Sequence, residues 1–163
     1  MIGKMGRGVF SAYPQQYGGP GDNFDEKAGH VVASLMRRFH EAKTKKRGSL
    51  RLWGTGLPRR EFIHVDDVAD ASVHLCSVPP GRLLSPINVG VGKDESIAEL
   101  AAQVKRVVGF EGKMVWDPSK PGGAPRKWLD SQRLFDTGWK PKIPLEKGLR
   151  ETYRFFRTHV APS

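Results

Sequence analysis

Cysteine is almost absent from this chain: Cys76 is the only one among 163 residues. A single cysteine excludes an internal disulfide and a cysteine-based zinc cluster. Long apolar runs are also missing, because no segment approaches the roughly 20 apolar residues that a membrane helix needs. The basic start, MIGKMGRGVF, lacks the apolar stretch of a secretory signal. These absences predict a cytoplasmic protein that does not contact a membrane.

Acidic residues are scarce relative to basic ones, with 17 Asp and Glu against 27 Lys and Arg and a net charge of +10. A positive surface attracts the phosphates of nucleic acids, so a basic nucleic-acid-binding domain is one alternative. The basic residues are scattered, however, and only residues 43–48, KTKKRG, form a dense run. The sequence contains no zinc finger and no RNA-recognition signature. We therefore expect no nucleic-acid partner.

Glycine-rich phosphate-binding signatures are missing as well. Gly6 and Gly8 have the spacing of the first two glycines of the dinucleotide fingerprint G-x-G-x-x-G, but Ser11 stands at the third position. No P-loop is present. Tyr153 is followed four residues later by Arg157 instead of lysine, inside an amphipathic helix pattern. The sequence thus lacks the usual means of binding a dinucleotide.

Hydrophobic periodicity predicts alternating strands and helices with short connections. Ser96 and Glu99 have the spacing of a capping box, Gly109 ends the same helix, and Asp66 can cap another. The pattern is typical of one α/β or α+β domain. The strands are predicted in GVFSAY, SLRLWG, EFIHV, SPINVGVG and GKMVWD, and the helices in HVVASLMRRFHEAK, DDVADASVHLCSV, SIAELAAQVKRVVG, DSQRLFDTG and PLEKGLRETYRFFRTH.

The segment WGTGLPRREFIHVDD places Arg59 and Arg60 between a glycine turn and a strand. Arginine forks held on a rigid platform usually bind an anion. The residues alone leave three anions open: a nucleic-acid backbone, a carboxylate or a phosphorylated small molecule.

Six motifs follow one another along the chain: GPGDNFD, HVVASLMRRFHEAK, WGTGLPRREFIHVDDVADA, INVGVGKDESIAELA, GFEGKMVWDPSKPGGAPRKWLD and GWKPKIPLEKGLRETYRFF. Their order resembles the C-terminal half of the GDP-L-fucose synthases, in the extended short-chain dehydrogenase/reductase superfamily of NAD-dependent epimerases and dehydratases. The resemblance implies an α/β fold, the C-terminal part of a Rossmann fold without its N-terminal nucleotide-binding half. Residues 1–29 would supply the last parallel strand and active-site loop, and residues 30–163 a small substrate-binding α/β portion.

The reaction that this resemblance implies converts GDP-4-keto-6-deoxy-mannose to GDP-L-fucose with NADPH. Two carbons beside the ketone are epimerised, and hydride transfer then reduces the ketone. His30 matches the histidine that transfers protons during epimerisation, a role that suits imidazole. The positions that match substrate-binding residues are Arg38, Trp53, Arg60 and Lys127, and those that match a cofactor-contacting loop are Pro14, Gln15, Gln16 and Tyr17.

Some of these assignments have close rivals. Helix geometry places Arg37 nearer than Arg38 to the face of His30. Lys120 and Arg126 lie in the same loop as Lys127. Arg60 would bind the diphosphate of the nucleotide-sugar, and Arg59 is expected to be solvated.

The sequence departs from the family at several positions. Gln15 and Gln16 replace Thr and Asn in the cofactor loop, Gly122 replaces an acidic residue, and Ala33 replaces a proline. Cys76 lies in a different region from the cysteine that works with the family's histidine.

Residues needed for the complete reaction belong to the family's N-terminal half: a Gly-rich turn, a serine, Tyr-x-x-x-Lys and that cysteine. We therefore expect this chain to be inactive alone, and to be poorly soluble, partly molten or dependent on another polypeptide. The complete family is commonly dimeric. Another NAD-dependent epimerase or dehydratase, or a non-catalytic nucleotide-sugar-binding remnant, is the alternative.

Overall fold

The computed structural model describes residues 12–14, 17–25, 29–79, 86–120 and 123–161. Helices and strands alternate along these ranges, which confirms the predicted α/β class. The helices are α1 Val31–Thr44, α2 Val65–Ser77, α3 Ile97–Val108, α4 Gln132–Phe135 and α5 Leu145–His159. The strands are β1 Ala12–Pro14, β2 Tyr17–Gly18, β3 Ser49–Trp53, β4 Arg59–Glu61, β5 Ile63–His64, β6 Ile87–Val89, β7 Asp94–Ser96, β8 Lys113–Asp117 and β9 Arg126–Lys127.

Most of the strand pairs are parallel. β1 pairs with β6, β2 with β5, and β3 with β8 over five residues. β4 lies at the centre of a three-stranded sheet, antiparallel to β7 and parallel to β9. Of the strand predicted in GVFSAY, β1 contains the last two residues, and residues 8–11 lie outside the described ranges. Among the helices of those ranges, none is long and apolar enough to cross a membrane.

The larger hydrophobic core forms where α1, α3 and α5 pack together and against β3. Phe39 of α1 is fully buried and its ring lies 5.7 Å from that of Phe110. A smaller core joins α2, β6 and α4 around Leu75, Ile87 and Trp139. Burial of each large apolar side chain contributes about 1.5–3 kcal/mol relative to exposure, so the helical periodicity of the sequence is what holds these helices in place.

Helix ends follow the sequence signals with one exception. The capping box of Ser96 and Glu99 is formed, and Gly109 ends α3 with a φ of 72°. The prediction that Asp66 caps α2 is wrong. α2 begins at Val65, and its N-cap residue is His64, whose side chain accepts the main-chain N–H of Asp66 at 3.2 Å. The carboxylate of Asp66 lies in the first turn, near the positive end of the helix dipole.

Two buried carboxylates bind main-chain N–H groups of distant segments. Glu61 is 1% exposed, and its Oε1 accepts from Val91 and Gly92, each at 2.7 Å. Asp67, also 1% exposed, accepts from the main chain ahead of α5, at residues 142 and 143, with distances of 3.0 Å. These bonds satisfy both the buried charge and the loop amides, so each carboxylate fixes a loop against its own element.

Asp94 holds two arginines at the start of β7. Arg59 donates from Nε to Asp94 Oδ1 at 3.0 Å, and Arg126 donates from Nε to Oδ2 at 2.5 Å. Burial of Asp94 opposes ionisation, but the bonds from Arg126 and Arg59 outweigh it, so the pKa of this carboxyl lies below its ordinary value. Arg59 also lies 3.5 Å from Glu99. The expectation that Arg59 is simply solvated is therefore wrong, because its partly exposed guanidinium is held by carboxylates.

We expect Glu61→Gln to lower the free energy of unfolding by about 2–3 kcal/mol, because the new amide nitrogen cannot accept a main-chain N–H. Urea unfolding measures this loss. Hydrogen–deuterium exchange at Leu129 reports it locally, because its N–H donates to the other carboxylate oxygen, Oε2, at 3.3 Å, while the remaining amide oxygen can still accept from Val91 and Gly92. Glu111→Gln, the same change at an exposed glutamate, is the control and should cost less than about 0.5 kcal/mol. Unchanged exchange at Leu129 in Glu61→Gln would contradict this role of the carboxylate.

A second prediction concerns acid stability. Since the folded pKa of Asp94 is lowered, its stabilising effect is present above its ordinary value of 3.8 and is lost as the pH falls through the lower folded value. The parent chain should therefore lose stability between about pH 5 and pH 3, and Asp94→Asn should lose less over that interval. Urea midpoints at several pH values measure the slopes. Asp136→Asn, an exposed carboxylate bonded to the neutral Gln132, should keep the parent slope. An equally steep slope in Asp94→Asn would refute this assignment.

Candidate functional site

A glycine turn between β3 and β4 sets the position of the two adjacent arginines. Gly54 and Gly56 have φ angles of 78° and 75°, which favour glycine. The Gly54 N–H donates to the carbonyl of Asp117 in β8, and the carbonyl of Gly56 accepts from Ala98 in α3. A Cβ on Gly56 would lie 2.8 Å from the ring of Trp116. The turn is thus fixed on both sides, which makes it a rigid platform for the strand that follows.

Two cations meet in the sheet that this platform supports. Arg60 in β4 is the register partner of Lys127 in β9. Arg60 is 8% exposed and its Nη1 donates to the carbonyl of Arg59 at 2.7 Å, whereas Lys127 is exposed. Within the described ranges neither side chain has a carboxylate within 4.0 Å. Arg60 is also the register partner of Glu95 in β7, but no ion pair within 4.0 Å joins the two side chains. Like charges on the paired Arg60 and Lys127 repel, so this arrangement favours an anion from outside the chain.

An open cavity of about 420 Å³ lies next to the loop that approaches Arg60, although neither Arg60 nor Lys127 lines it. The glycine turn contributes Gly54 and Thr55 to its wall, and the loop between β8 and β9 contributes Lys120 and Gly123. A Cβ on Gly123 would lie 3.3 Å from Nη2 of Arg60, so glycine lets the loop approach the guanidinium closely. Lys120, the rival of Lys127, lines this cavity, and Lys127 does not.

Trp53 and Arg38 lie on neighbouring elements near the same turn. Trp53 ends β3 and is 66% exposed, so it is not a core residue. Arg38 in α1 donates to the carbonyl of Arg51, two residues before Trp53. Its rival Arg37 instead binds Glu41 at 3.0 Å and the carbonyl of Phe24 at 2.9 Å. Of the two arginines, Arg38 is therefore the one that contacts the strand carrying Trp53.

His30 stands at the N-terminus of α1, where its side chain is 54% exposed. Its Nδ1 lies 3.0 Å from Oδ1 of Asp22, a residue whose side chain is 7% exposed. The structure thus places His30 with Asp22 on the α1 side, and places Arg60 with Lys127 in the β4–β9 sheet.

The cofactor-contacting positions are only partly described. Pro14 ends β1 opposite Val89, and Tyr17 begins β2 opposite Ile63. Gln15, Gln16 and Gly122 lie outside the described ranges. Ligands of α/β proteins bind at the carboxyl ends of parallel strands, and Pro14 lies at such an end of β1.

The sequence patterns did not predict three residues of this site: Asp22, Asp94 and Gly123. Asp22 lies eight positions before His30, with no periodic pattern linking them. Asp94 and Gly123 are far in sequence from the arginines they contact. Local motifs cannot reveal such pairs, because the contacts form only after the strands have assembled.

Known proteins resemble this chain over nearly its whole length. A probable GDP-L-fucose synthase 1 from Oryza sativa subsp. japonica is 51% identical over 152 residues, which make up 93% of this chain and 46% of the relative. The GDP-L-fucose synthase of Escherichia coli strain K12 is 46% identical over 160 residues, and the match covers 94% of this chain and 50% of the relative. The chain therefore spans about half the length of the curated relatives it matches.

A solved structure supports the same relationship. The crystal structure of a GDP-L-fucose synthetase from Naegleria fowleri bound to NADP has a TM-score of 0.78 and 28% identity, and the match covers 88% of this chain and 45% of that one. The predicted fold class, the C-terminal part of a Rossmann-type epimerase/reductase fold, is confirmed. The model of the NAD dependent epimerase/dehydratase family matches residues 6–90. On these grounds, together with the 51% identity to the rice relative, the chain belongs to the NAD-dependent epimerase/dehydratase family.

Proposed function

We propose that this chain is the substrate-binding part of a nucleotide-sugar epimerase/reductase of the GDP-L-fucose synthase type, which converts GDP-4-keto-6-deoxy-mannose to GDP-L-fucose. The observation that carries the proposal is the pairing of Arg60 with Lys127 beside the glycine turn. Two cations without a carboxylate partner in the described ranges match the two negative phosphates of a GDP-sugar. Lys120, which lines the adjacent cavity, adds a third positive charge.

The remaining site residues would bind the substrate and transfer protons. Trp53 offers an exposed aromatic face on which a planar or ring-shaped group can pack. Arg38 holds its guanidinium against β3, the strand that ends at Trp53. His30 is the group that donates or removes a proton at the carbons beside the ketone, since imidazole can do both near neutral pH.

NADPH is the proposed cofactor, and when bound it supplies the hydride that reduces the ketone. This chain would contribute residues 14–17 to its site, and of these Pro14 lies at the carboxyl end of β1. The sequence contains no Gly-rich phosphate turn and no Tyr-x-x-x-Lys pair. We therefore propose that the 163 residues alone are inactive and that the complete enzyme carries the activity.

The proposal extends to organisation and location. Residues 1–29 would form the last Rossmann strand and active-site loop, and residues 30–163 the substrate-binding portion. We propose a cytoplasmic enzyme that binds no nucleic acid and forms a homodimer when complete. A non-catalytic nucleotide-sugar-binding remnant would retain the same cationic pair, so activity of a complete enzyme, and not binding, distinguishes it.

We expect Lys127→Ala and Arg60→Met each to weaken GDP binding about 10-fold or more, because each removes a charge-assisted hydrogen bond to phosphate. The methionine keeps the unbranched stem of the buried Arg60. Calorimetric titration with GDP and with guanosine measures the effect, and guanosine binding should stay unchanged because it has no phosphates. Lys140→Ala and Arg154→Met, at exposed positions of the same charge, should bind GDP as the parent does.

Two results would contradict the proposal. GDP affinity that is unchanged in both Lys127→Ala and Arg60→Met would exclude the cationic pair as the diphosphate site. A parent chain that ignores GDP but binds a DNA oligonucleotide with a steep salt dependence would favour the nucleic-acid alternative.

A further inference from the structure

The side chains of Asp22 and His30 form a carboxylate–imidazole pair outside the cationic site. His30 Nδ1 lies 3.0 Å from Asp22 Oδ1, and the Asp22 side chain is nearly buried while the His30 ring is about half exposed. The main-chain N–H of Asn23 donates to the same Oδ1 at 2.7 Å. One oxygen therefore receives a main-chain donor and faces the imidazole nitrogen at hydrogen-bond distance.

This geometry selects one tautomer of the imidazole. A carboxylate oxygen only accepts hydrogen bonds, so the Nδ1 of His30 must carry the proton that joins the two groups. In the neutral ring, the lone pair then lies on Nε2, the nitrogen on the opposite side from Asp22. The pair thus fixes both the ring orientation and the nitrogen that can accept a proton.

Both partners are held by the surrounding structure. The carbonyl of His30 accepts the first main-chain bond of α1, from Ser34 at 2.8 Å. The Asp22 N–H donates to the carbonyl of Gly19, and Arg37 of α1 binds the carbonyl of Phe24. The Phe24 ring packs 4.9 Å from that of Phe156 in α5. The loop carrying Asp22 is therefore anchored to the helix that carries His30.

The second carboxylate oxygen of Asp22, Oδ2, also points to a role for Asp22 beyond stability. Oδ2 is buried and makes no hydrogen bond in the part of the chain that the structure describes. Desolvation of an oxygen without a compensating partner is costly, so the carboxylate is not placed there for stability alone. Among the described residues, the side chain of Asp22 makes its hydrogen bonds through Oδ1, with the N–H of Asn23 and with His30.

We propose that Asp22 is a positioning residue that holds His30 in its Nδ1–H tautomer and thereby presents Nε2 for proton transfer. The inference rests on the proposed function, because it assigns Asp22 a role through the proton-transferring histidine. It adds to that function the residue that decides which nitrogen exchanges the proton.

The tautomer can be measured directly in this chain by long-range ¹H–¹⁵N NMR of the imidazole nitrogens at a pH where His30 is neutral. We expect the Nδ1–H form in the parent. Asp22→Asn, which can donate as well as accept, should give a mixture of tautomers, and Asp22→Ala should shift His30 towards Nε2–H. The nearly isosteric asparagine provides the readout even if the alanine variant does not fold. Asp25→Asn, a neighbouring exposed aspartate, should leave the parent tautomer unchanged.

A parent in the Nε2–H form would overturn the inference, and so would an Asp22→Asn spectrum identical to that of the parent. GDP titration of the same samples separates this result from the proposed function. Asp22→Asn should bind GDP with the parent affinity, because Arg60 and Lys127 are intact. A parent that shows the expected tautomer but does not bind GDP would refute the cationic site alone. A chain that binds GDP but shows no tautomer change on substitution would refute the role of Asp22 alone.

Discussion

The hydrogen bonds of Asp94 to Arg59 and Arg126 are the interaction on which the candidate site depends. They connect all three strands of the β7–β4–β9 sheet, because each partner belongs to a different strand. The same strand pairing places Arg60 beside Lys127, a contact that repels. Asp94 offsets that repulsion by binding the arginine adjacent in sequence to each of them. The sheet can therefore keep two cations together without a carboxylate between them.

The use of the acidic residues explains how a basic chain acquires a specific anion site. Glu61 and Asp67 are buried and bind main-chain N–H groups, so they hold loops and leave no charge for the surface. Asp94 is bound by arginines, and Asp22 faces His30. With 17 acidic residues against 27 basic ones, cations remain after these structural roles are filled. The strand register then places Arg60 opposite Lys127, and the cavity between the glycine turn and the β8–β9 loop is lined by Lys120.

Two of the parallel strand pairs are short. Within the described ranges, β1 pairs with β6 over three residues and β2 with β5 over two, and two-stranded sheets of this size are marginally stable in water. The helical core of α1, α3 and α5 does not share this weakness, because it is continuous and built from large apolar side chains. The expected dependence of the chain on another polypeptide stays a prediction that concerns the small parallel pairs, not the helical core.

Local sequence signals were enough to predict the helices, the five-residue strands, the family and the candidate site residues. Apolar spacing located α1, and Ser96, Glu99 and Gly109 marked the ends of α3, because these signals act over one or two helical turns. Three contacts became visible only in the folded chain: His64 caps α2, Asp94 binds Arg59 and Arg126, and Asp22 faces His30. The arginines of Asp94 lie 35 and 32 positions away in the chain. Such contacts produce no periodic pattern in the sequence, because the spatial distance between the two residues is set by how the strands align and not by the local path of the backbone.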